Sequence, residues 1–329
     1  MTWSDTFLGK PVLALAAALC VVATGQPARA QDWPQHPIHV IVSFGAGGGA
    51  DIIGRILADA LAERLGKPVI VENKPGAGGI LGNELVAKAD PDGYTLGIMT
   101  AGQIIGAVTR KEMPYDTATL TPVAQVASAS LLIVTRPDFP ASNVAELIAL
   151  ARKEPGKLVF GSPGLGATQH LAAEPFKQTA GVNMLHVPFR TSPEVTTALL
   201  AGQVDVVFET VSAVLGQVQA GKLKPLAVTG KDRFPAVPDV PAAIESGLLP
   251  GYDVTTWYGV FAPAGVPRPV IDKLNKTLVE IVAEPSVRER LTKAGVVVKS
   301  STPEEFGQLM ERELDRWETV RQKAGLEKR

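Results

Sequence analysis

The sequence is poor in cysteine and histidine. Cys20 is the single cysteine among 329 residues, so no disulfide can form within the chain. The four histidines are scattered and lack cysteine or carboxylate partners at metal-ligand spacing, which argues against a metal site. They are His36, His39, His170 and His186. A chain of this length can build its core from apolar burial alone, so the lack of disulfides does not limit the fold.

The sequence also lacks the marks of nucleic-acid binding and of common catalysis. The formal net charge is −1, and no basic stretch interleaved with aromatic residues occurs, so nucleic acid is not an expected partner. Ser43, Ser162 and Ser192 lack the G-x-S-x-G context of an activated serine, and His170 has no acid near it in sequence. We therefore expect no enzymatic activity and assign no catalytic residue.

Long apolar runs are absent apart from Pro11 to Thr24, which is shorter than the roughly 20 residues that span a bilayer. Lys10 precedes this run, and small residues at Ala28 and Ala30 follow it, which predicts a secretory signal peptide over residues 1–30, cleaved after Ala30. A membrane anchor is the competing interpretation. Lipid attachment at Cys20 is disfavoured because Leu19 precedes it. We expect an exported, periplasmic protein.

After residue 30, short apolar runs alternate with amphipathic runs, a pattern typical of an α/β fold around a parallel sheet. Two glycine-rich turns lie between a strand-like run and a helix-like run: SFGAGGGAD from Ser43 and GSPGLGATQH from Gly161. Glycine leaves backbone N–H groups accessible, and a helix start carries partial positive charge. Each turn is therefore a candidate anion cradle, and the pair predicts a ligand held between two lobes.

The first turn also resembles a dinucleotide-binding fingerprint. Gly45, Gly47 and Ala50 have the required spacing, and Glu72 ends the next predicted strand, where an acid would bind ribose. Asp51 at the helix start would repel a pyrophosphate, while it could organise the turn as a cap. A secreted two-domain α/β nucleotide-dependent oxidoreductase thus stays open as an alternative. If the two glycine turns are anion cradles instead, the protein requires no cofactor.

Five segments together identify the chain as similar to a known family. In chain order they are VSFGAGGGADIIGR, ENKPGAGGILGNELVAKADPDGYTL, GSPGLGATQHLAAEPF, HVPFR and LLAGQVDVVFE. They resemble the Bug family of tripartite tricarboxylate transporter substrate-binding proteins over nearly the whole mature chain. The combination of Asn73 to Gly79 with Ala89 to Leu96 is the most specific part of the resemblance.

The resemblance implies a two-lobed periplasmic binding protein fold of the type II-like Venus flytrap kind, in which each lobe is a sheet flanked by helices. Lobe 1 would comprise residues 31–132 and 256–329, and lobe 2 residues 133–255, with the ligand cleft between them. The protein would be a monomer that captures a small carboxylate and presents it to membrane permease subunits; a sensory membrane partner is a further possibility.

The resemblance also implies a set of ligand-binding residues. From the first lobe these are Phe44, Gly45, Ala46, Gly47, Gly48, Asp51 and Thr100; from the second they are Ser162, Gly164, Leu165, Gly166, Ala167, Thr168 and Glu209.

Three positions depart from the family pattern: Ser43 stands for a common proline, Ala167 for serine or threonine, and Glu209 for aspartate. A di- or tricarboxylate, an amino acid and an aromatic acid all remain open as ligands. Arg190, after HVPF, is either a cleft residue or a solvated charge.

Overall fold

A computed structural model describes residues 33–165, 167–323 and 327–328. The predicted signal peptide and Gly166 lie outside the described residues. All elements named below belong to the unit that begins at His36. Within the described part of the chain, no helix is both long and apolar enough to cross a membrane.

Ten strands form the sheet. They are β1 Ile38–Val42, β2 Val69–Asn73, β3 Thr95–Thr100, β4 Leu120–Thr135, β5 Val159–Ser162, β6 Leu185–Pro188, β7 Val206–Thr210, β8 Lys224–Val228, β9 Thr255–Pro263 and β10 Val297–Val298.

The α-helices of the described residues flank these strands. They are α1 Gly49–Leu65, α2 Ile80–Ala87, α3 Ala101–Thr109, α4 Val144–Lys153, α5 Thr168–Ala180, α6 Ser192–Leu200, α7 Val211–Gln219, α8 Arg268–Ala283, α9 Pro285–Lys293 and α10 Pro303–Lys323.

The strands follow the order β2-β1-β3-β9-β4-β7-β5-β6, with β8 and β10 also paired to β4. β1 is parallel to β2 and β3, and β5 is parallel to β6 and β7. The two strands in the middle, β4 and β9, are antiparallel to their neighbours. The predicted α/β class is confirmed, and the parallel pairing predicted throughout holds for the outer strands on each side.

The long strand β4 changes partners along its length. Residues from Leu120 to Ser130 pair with β9, and those from Leu131 to Thr135 pair with β7 and β8. Successive side chains point to opposite faces of a strand. Ile133 accordingly packs in one hydrophobic cluster and Leu132 in another. β4 therefore joins two sets of strands, each covered on both faces.

The apolar and amphipathic runs of the sequence coincide with most of the strands and helices of the structure. Helix α1 ends at Leu65, and Gly66 after it adopts φ 66° with its N–H bonded to the Ala62 carbonyl. Three elements were missed: α3, β10 and the first two-thirds of β4. The β4 segment contains Pro122 and irregular pairing at Pro122/Ala124, which disguise a strand in sequence.

Candidate functional site

Five helices begin around one small cavity at the carboxyl ends of the parallel strands. β1, β3, β5, β6 and β7 each lead into a helix, namely α1, α3, α5, α6 and α7. Residues at these helix starts line a cavity of about 20 Å³, together with neighbouring side chains. The lining comprises Phe44, Gly48, Gly49, Ala50, Thr100, Thr168, Gln169, Ser192, Thr210, Thr256 and Tyr258. We call this the inner cavity.

The inner cavity is suited to a negatively charged group. The N–H groups in the first turn of a helix lack acceptors within the helix, and each helix start carries roughly half a positive charge. Gly49 and Ala50 form the first turn of α1 and expose only small atoms there. Five helix starts directed at one point favour an anion there, even though no arginine or lysine lines the cavity.

Two buried hydroxyl groups on the inner cavity have no hydrogen-bond partner among the described residues. They are Oγ1 of Thr168, whose residue is 3% exposed, and Oγ1 of Thr256, whose residue is 2% exposed. Buried polar atoms are normally satisfied, so an unpaired pair facing one cavity indicates donors for a ligand. Burial raises the pKa of Tyr258 to about 12, which keeps its hydroxyl protonated on the same wall.

The carboxylate of Asp51 stabilises the first glycine turn through hydrogen bonds and an ion pair. Its carboxylate accepts hydrogen bonds from the Gly47 N–H and from Nδ2 of Asn73, both at 2.9 Å, and forms an ion pair with Arg55 at 2.9 Å. Burial alone would raise the pKa of Asp51, but the bonds from Arg55, Gly47 and Asn73 together lower it. The predicted organising role of Asp51 is present, and its carboxylate points away from the inner cavity lining.

The first turn presses tightly on Tyr258 of β9 and on the starts of two helices from the other set of strands. A methyl group on Gly45 would overlap Cγ2 of Thr191, and one on Gly49 would overlap the hydroxyls of Ser212 and Tyr258. These two positions therefore require glycine, because neighbouring side chains leave no room for a Cβ atom. The contacts bring the β1-to-α1 turn against the starts of α6 and α7.

The second glycine turn is held by neutral groups. Ser162 Oγ lies 2.7 Å from Nε2 of His186 and donates to the Gly164 carbonyl at 3.0 Å. Burial lowers the pKa of His186 to about 3, assisted by His170 and Lys177, so the imidazole is neutral and shares a hydrogen bond with the Ser162 hydroxyl. This turn meets Gly78, because a methyl group on Gly164 would lie 3.4 Å from the Gly78 nitrogen.

Glu209 lies one layer behind the inner cavity. The residue is 1% exposed, and its Oε1 accepts hydrogen bonds from Gln169 Nε2 at 2.8 Å and from the Thr210 N–H at 2.7 Å. Burial raises the pKa of Glu209, while the hydrogen bonds from Gln169 and Thr210 act in the opposite direction. Glu209 therefore positions two residues of the cavity wall, and it does not itself line the cavity.

The structure brings together some of the predicted site residues and separates others. Four of them line the inner cavity: Phe44, Gly48, Thr100 and Thr168. Gly45, Asp51, Ser162, Ala167 and Glu209 are buried behind its wall, and Ala46 and Gly47 face outward. Gly164 and Leu165 line a second, larger cavity with Phe44.

Sequence reasoning missed seven of the eleven residues that line the inner cavity. Gly49, Ala50 and Gln169 lie one or two residues beyond predicted positions, and Thr210 follows Glu209 directly. Their place at a strand-to-helix junction was the available signal. Thr256 and Tyr258 come from β9, which no local motif links to the glycine turns.

The larger cavity, of about 660 Å³, opens outside the inner one, and we call it the mouth. Phe44 lines both cavities. The mouth lies between the turn Pro75 to Gly79 and the second glycine turn, and Arg110 and Arg190 also line it. A third cavity, of about 690 Å³, adjoins the mouth at Arg110 and runs along α5.

A cavity ringed by helix starts between two sets of strands is the arrangement of a solute-binding receptor. Residues 53–326 match the model of the tripartite tricarboxylate transporter family receptor, so the chain belongs to that family. It is a periplasmic solute-binding protein of the Bug type, and the predicted two-lobed fold is confirmed.

Three solved structures are similar to this chain. The periplasmic binding protein BugD is 36% identical, with a TM-score of 0.86 over 90% of this chain and 100% of its own. R. palustris Rpa4515 with adipate is 33% identical, with a TM-score of 0.87 over 90% and 99%. MatC from Rhodopseudomonas palustris with bound malate is 32% identical, with a TM-score of 0.83 over 88% and 99%.

Family membership also bears on the dinucleotide-like glycine spacing from Gly45 to Ala50. The pattern belongs here to a family of solute-binding receptors, and a glycine turn at a helix start can hold a carboxylate as well as a phosphate. Among residues 33–165 and 167–323, no three metal-ligating side chains cluster closely enough to hold a metal ion.

Proposed function

We propose that the protein captures a small carboxylate between two lobes and delivers it to a tripartite tricarboxylate-type transporter. The observation that carries this function is the convergence of five helix starts on one cavity, together with the unpaired hydroxyls of Thr168 and Thr256. These groups offer several donors and no competing anion on the cavity lining. The bound adipate and malate of the two R. palustris relatives support a carboxylate as ligand.

The lobes we propose are residues 31–132 with 256–329, and residues 133–255. The partner change in β4 at Ser130/Leu131 and the start of β9 at Thr255 lie next to these boundaries and support them. Two strands that cross between lobes can act as hinges. The inner cavity holds little more than one water-sized group, so its walls must separate to admit a carboxylate.

Capture then proceeds from the mouth inward. A carboxylate enters past Phe44, meets the N–H groups at the start of α1 and α5, and closure brings Thr191 against Gly45 and Gly164 against Gly78. Each charge-assisted hydrogen bond contributes roughly 1.5–3 kcal/mol. Affinity is the sum of these contacts minus the free energy needed to close the lobes.

We also propose how the protein is exported and how it meets its transporter. The leader is cleaved after Ala30, the mature protein is a monomer in the periplasm, and the closed form docks on the permease subunits. Mass spectrometry of the exported protein tests the cleavage, because the mature chain should begin at Gln31. A mass that includes residues 1–30 would contradict it.

Calorimetric titration with a panel of carboxylates tests the binding function. The panel comprises di- and tricarboxylates, acidic amino acids and aromatic acids, and native mass spectrometry identifies any acid that co-purifies. We expect at least one panel member to bind and to raise the unfolding temperature. Absence of heat and of thermal shift across the whole panel, with no co-purified acid, would contradict the function.

A further inference from the structure

The mouth carries positive charge from both sets of strands. Arg110 follows α3, on the side of β1 and β3, and Arg190 follows β6, on the opposite side. Both line the same cavity of about 660 Å³, and Phe44 lines this cavity as well as the inner cavity. A ligand that extends outward from the inner cavity passes Phe44 and meets these two side chains.

Arg110 is held at the rim by the neighbouring turn. Its Nη2 donates to the Ala77 carbonyl at 3.2 Å. Ala77 has φ 53° and is the one non-glycine residue with positive φ in the described chain. Such a conformation costs roughly 1–3 kcal/mol, and residues of this kind cluster at ligand sites. The strained turn thus fixes the place of the Arg110 side chain beside the mouth.

Neither guanidinium has a carboxylate partner in the described part of the chain. Glu194, the acid that lines the mouth, accepts a hydrogen bond from the Arg190 backbone N–H at 3.1 Å, and its own N–H donates to Thr191 Oγ1. Thr191 therefore caps the start of α6 and Glu194 binds the Arg190 backbone, while no ion pair engages the side chain of Arg110 or Arg190 among the described residues. Two cations and one carboxylate line this cavity, which leaves it a net positive charge.

On the basis of the function proposed above, we propose that Arg110 and Arg190 form a second anion-binding subsite at the mouth. The ligand then carries two anionic groups, one in the inner cavity and one between the two guanidinium groups. The inner subsite uses backbone and hydroxyl donors and accepts any carboxylate. The mouth selects ligands by the presence and position of the second charge, and closure places arginines from the two sides around it.

Matched pairs of acids test this subsite. Glutarate with pentanoate, adipate with hexanoate, and terephthalate with benzoate each differ by the second carboxylate, and calorimetry gives the affinity of each. We expect the wild-type protein to prefer the diacid of at least one pair by about 10-fold or more. Arg110→Gln and Arg190→Gln should each remove most of that preference and leave monoacid affinity unchanged.

Arg288→Gln is the matched control, since Arg288 is exposed on α9 and its loss changes the net charge equally. It should keep the preference, and Arg110→Lys should keep part of it. Thermal unfolding confirms that each variant is folded. Equal binding of both acids in every pair, or a preference that survives both Gln variants, overturns the mouth subsite alone. A wild-type protein that binds none of the six acids overturns the mouth subsite, and the carboxylate function falls with it only if the whole panel of carboxylates also fails to bind.

Discussion

The two glycine turns look alike in sequence but are built differently. The first is braced by a charged carboxylate, Asp51, with Arg55 and Asn73 behind it. The second is braced by a neutral pair, Ser162 and His186. The first leaves no room for a side chain at Gly45 or Gly49, whereas the second meets Gly78 at ordinary contact distance and exposes Leu165.

This difference assigns different tasks to the two turns. The first supplies a rigid, close-fitting wall that ends in N–H donors, so it suits the common feature of all ligands, a carboxylate. The second borders the mouth, where ligands of different length and shape must be accommodated. A receptor family can therefore change specificity at the second turn and the mouth while it preserves the first.

Gly49→Ala should have the largest effect on binding. The added methyl group overlaps the hydroxyls of Ser212 and Tyr258, and because Ser212 lies in the other proposed lobe, the overlap with Ser212 opposes closure. Overpacking of this kind costs about 1–3 kcal/mol, which corresponds to a loss of affinity of roughly 5- to 150-fold. Calorimetry with the best panel ligand measures the loss.

Gly216→Ala is the control for that change, because no atom lies within 4 Å of a methyl group there. It should keep wild-type affinity. Equal affinity of Gly49→Ala and wild type would mean that the first turn is not a close-fitting wall.

Asp51→Ala should have the next largest effect, on stability. It leaves the Gly47 N–H, Asn73 and Arg55 without their common acceptor, and losses of this kind cost about 1–3 kcal/mol of unfolding free energy. Denaturant unfolding measures it. The lowered pKa of Asp51 means that its contribution is present above the unfolded value of 3.8 and is lost as pH falls through the folded pKa. The free energy of unfolding of Asp51→Asn, which retains one acceptor, should lie between those of the wild type and Asp51→Ala. An Asp51→Ala variant as stable as the wild type would show that Asp51 does not stabilise the turn.

His186→Gln should change the pH dependence of stability. The pKa of His186 is lowered from 6.5 to about 3, so the unfolded state binds more protons between these values and wild-type stability falls as pH falls from 6.5. The loss is at most about 1.4 kcal/mol for each pH unit. Unfolding titrations from pH 7 to 4 should show a shallower decline in the variant. Parallel curves would show that His186 is not a neutral brace.

Thr256→Val should have the smallest effect. It removes one unpaired donor from the inner cavity and should weaken binding about 5- to 10-fold. Thr135→Val is matched to it, because Thr135 is also buried with an unpaired hydroxyl but does not line the cavity. Calorimetry should find Thr135→Val unchanged. If the two variants bind equally well, Thr256 does not contact the ligand.

The sequence was sufficient to predict most helices and strands, because hydrophobic periodicity and glycine caps such as Gly66 are local signals. The family resemblance was sufficient for the fold. The ends of the parallel strands also predicted where the site would lie, which is why Phe44, Gly48, Thr100 and Thr168 line the inner cavity.

Other parts depend on tertiary contacts that local patterns do not carry. Thr256 and Tyr258 reach the cavity because β9 pairs antiparallel with β3 and β4, and both of these strands lie far from β9 in the sequence. Glu209 lies behind Gln169 and Thr210 because these residues donate hydrogen bonds to its Oε1. The convergence of five helix starts follows from strand order, and sequence motifs marked only two of them.

A crystal structure of the protein with its best-binding carboxylate tests the central claim most directly. The account predicts one carboxylate in the inner cavity, with an oxygen within hydrogen-bond distance of the N–H of Gly49 or Ala50 and of Thr168 Oγ1. A ligand bound instead in the cavity along α5, or against the outward face of Ala46 and Gly47, would contradict it.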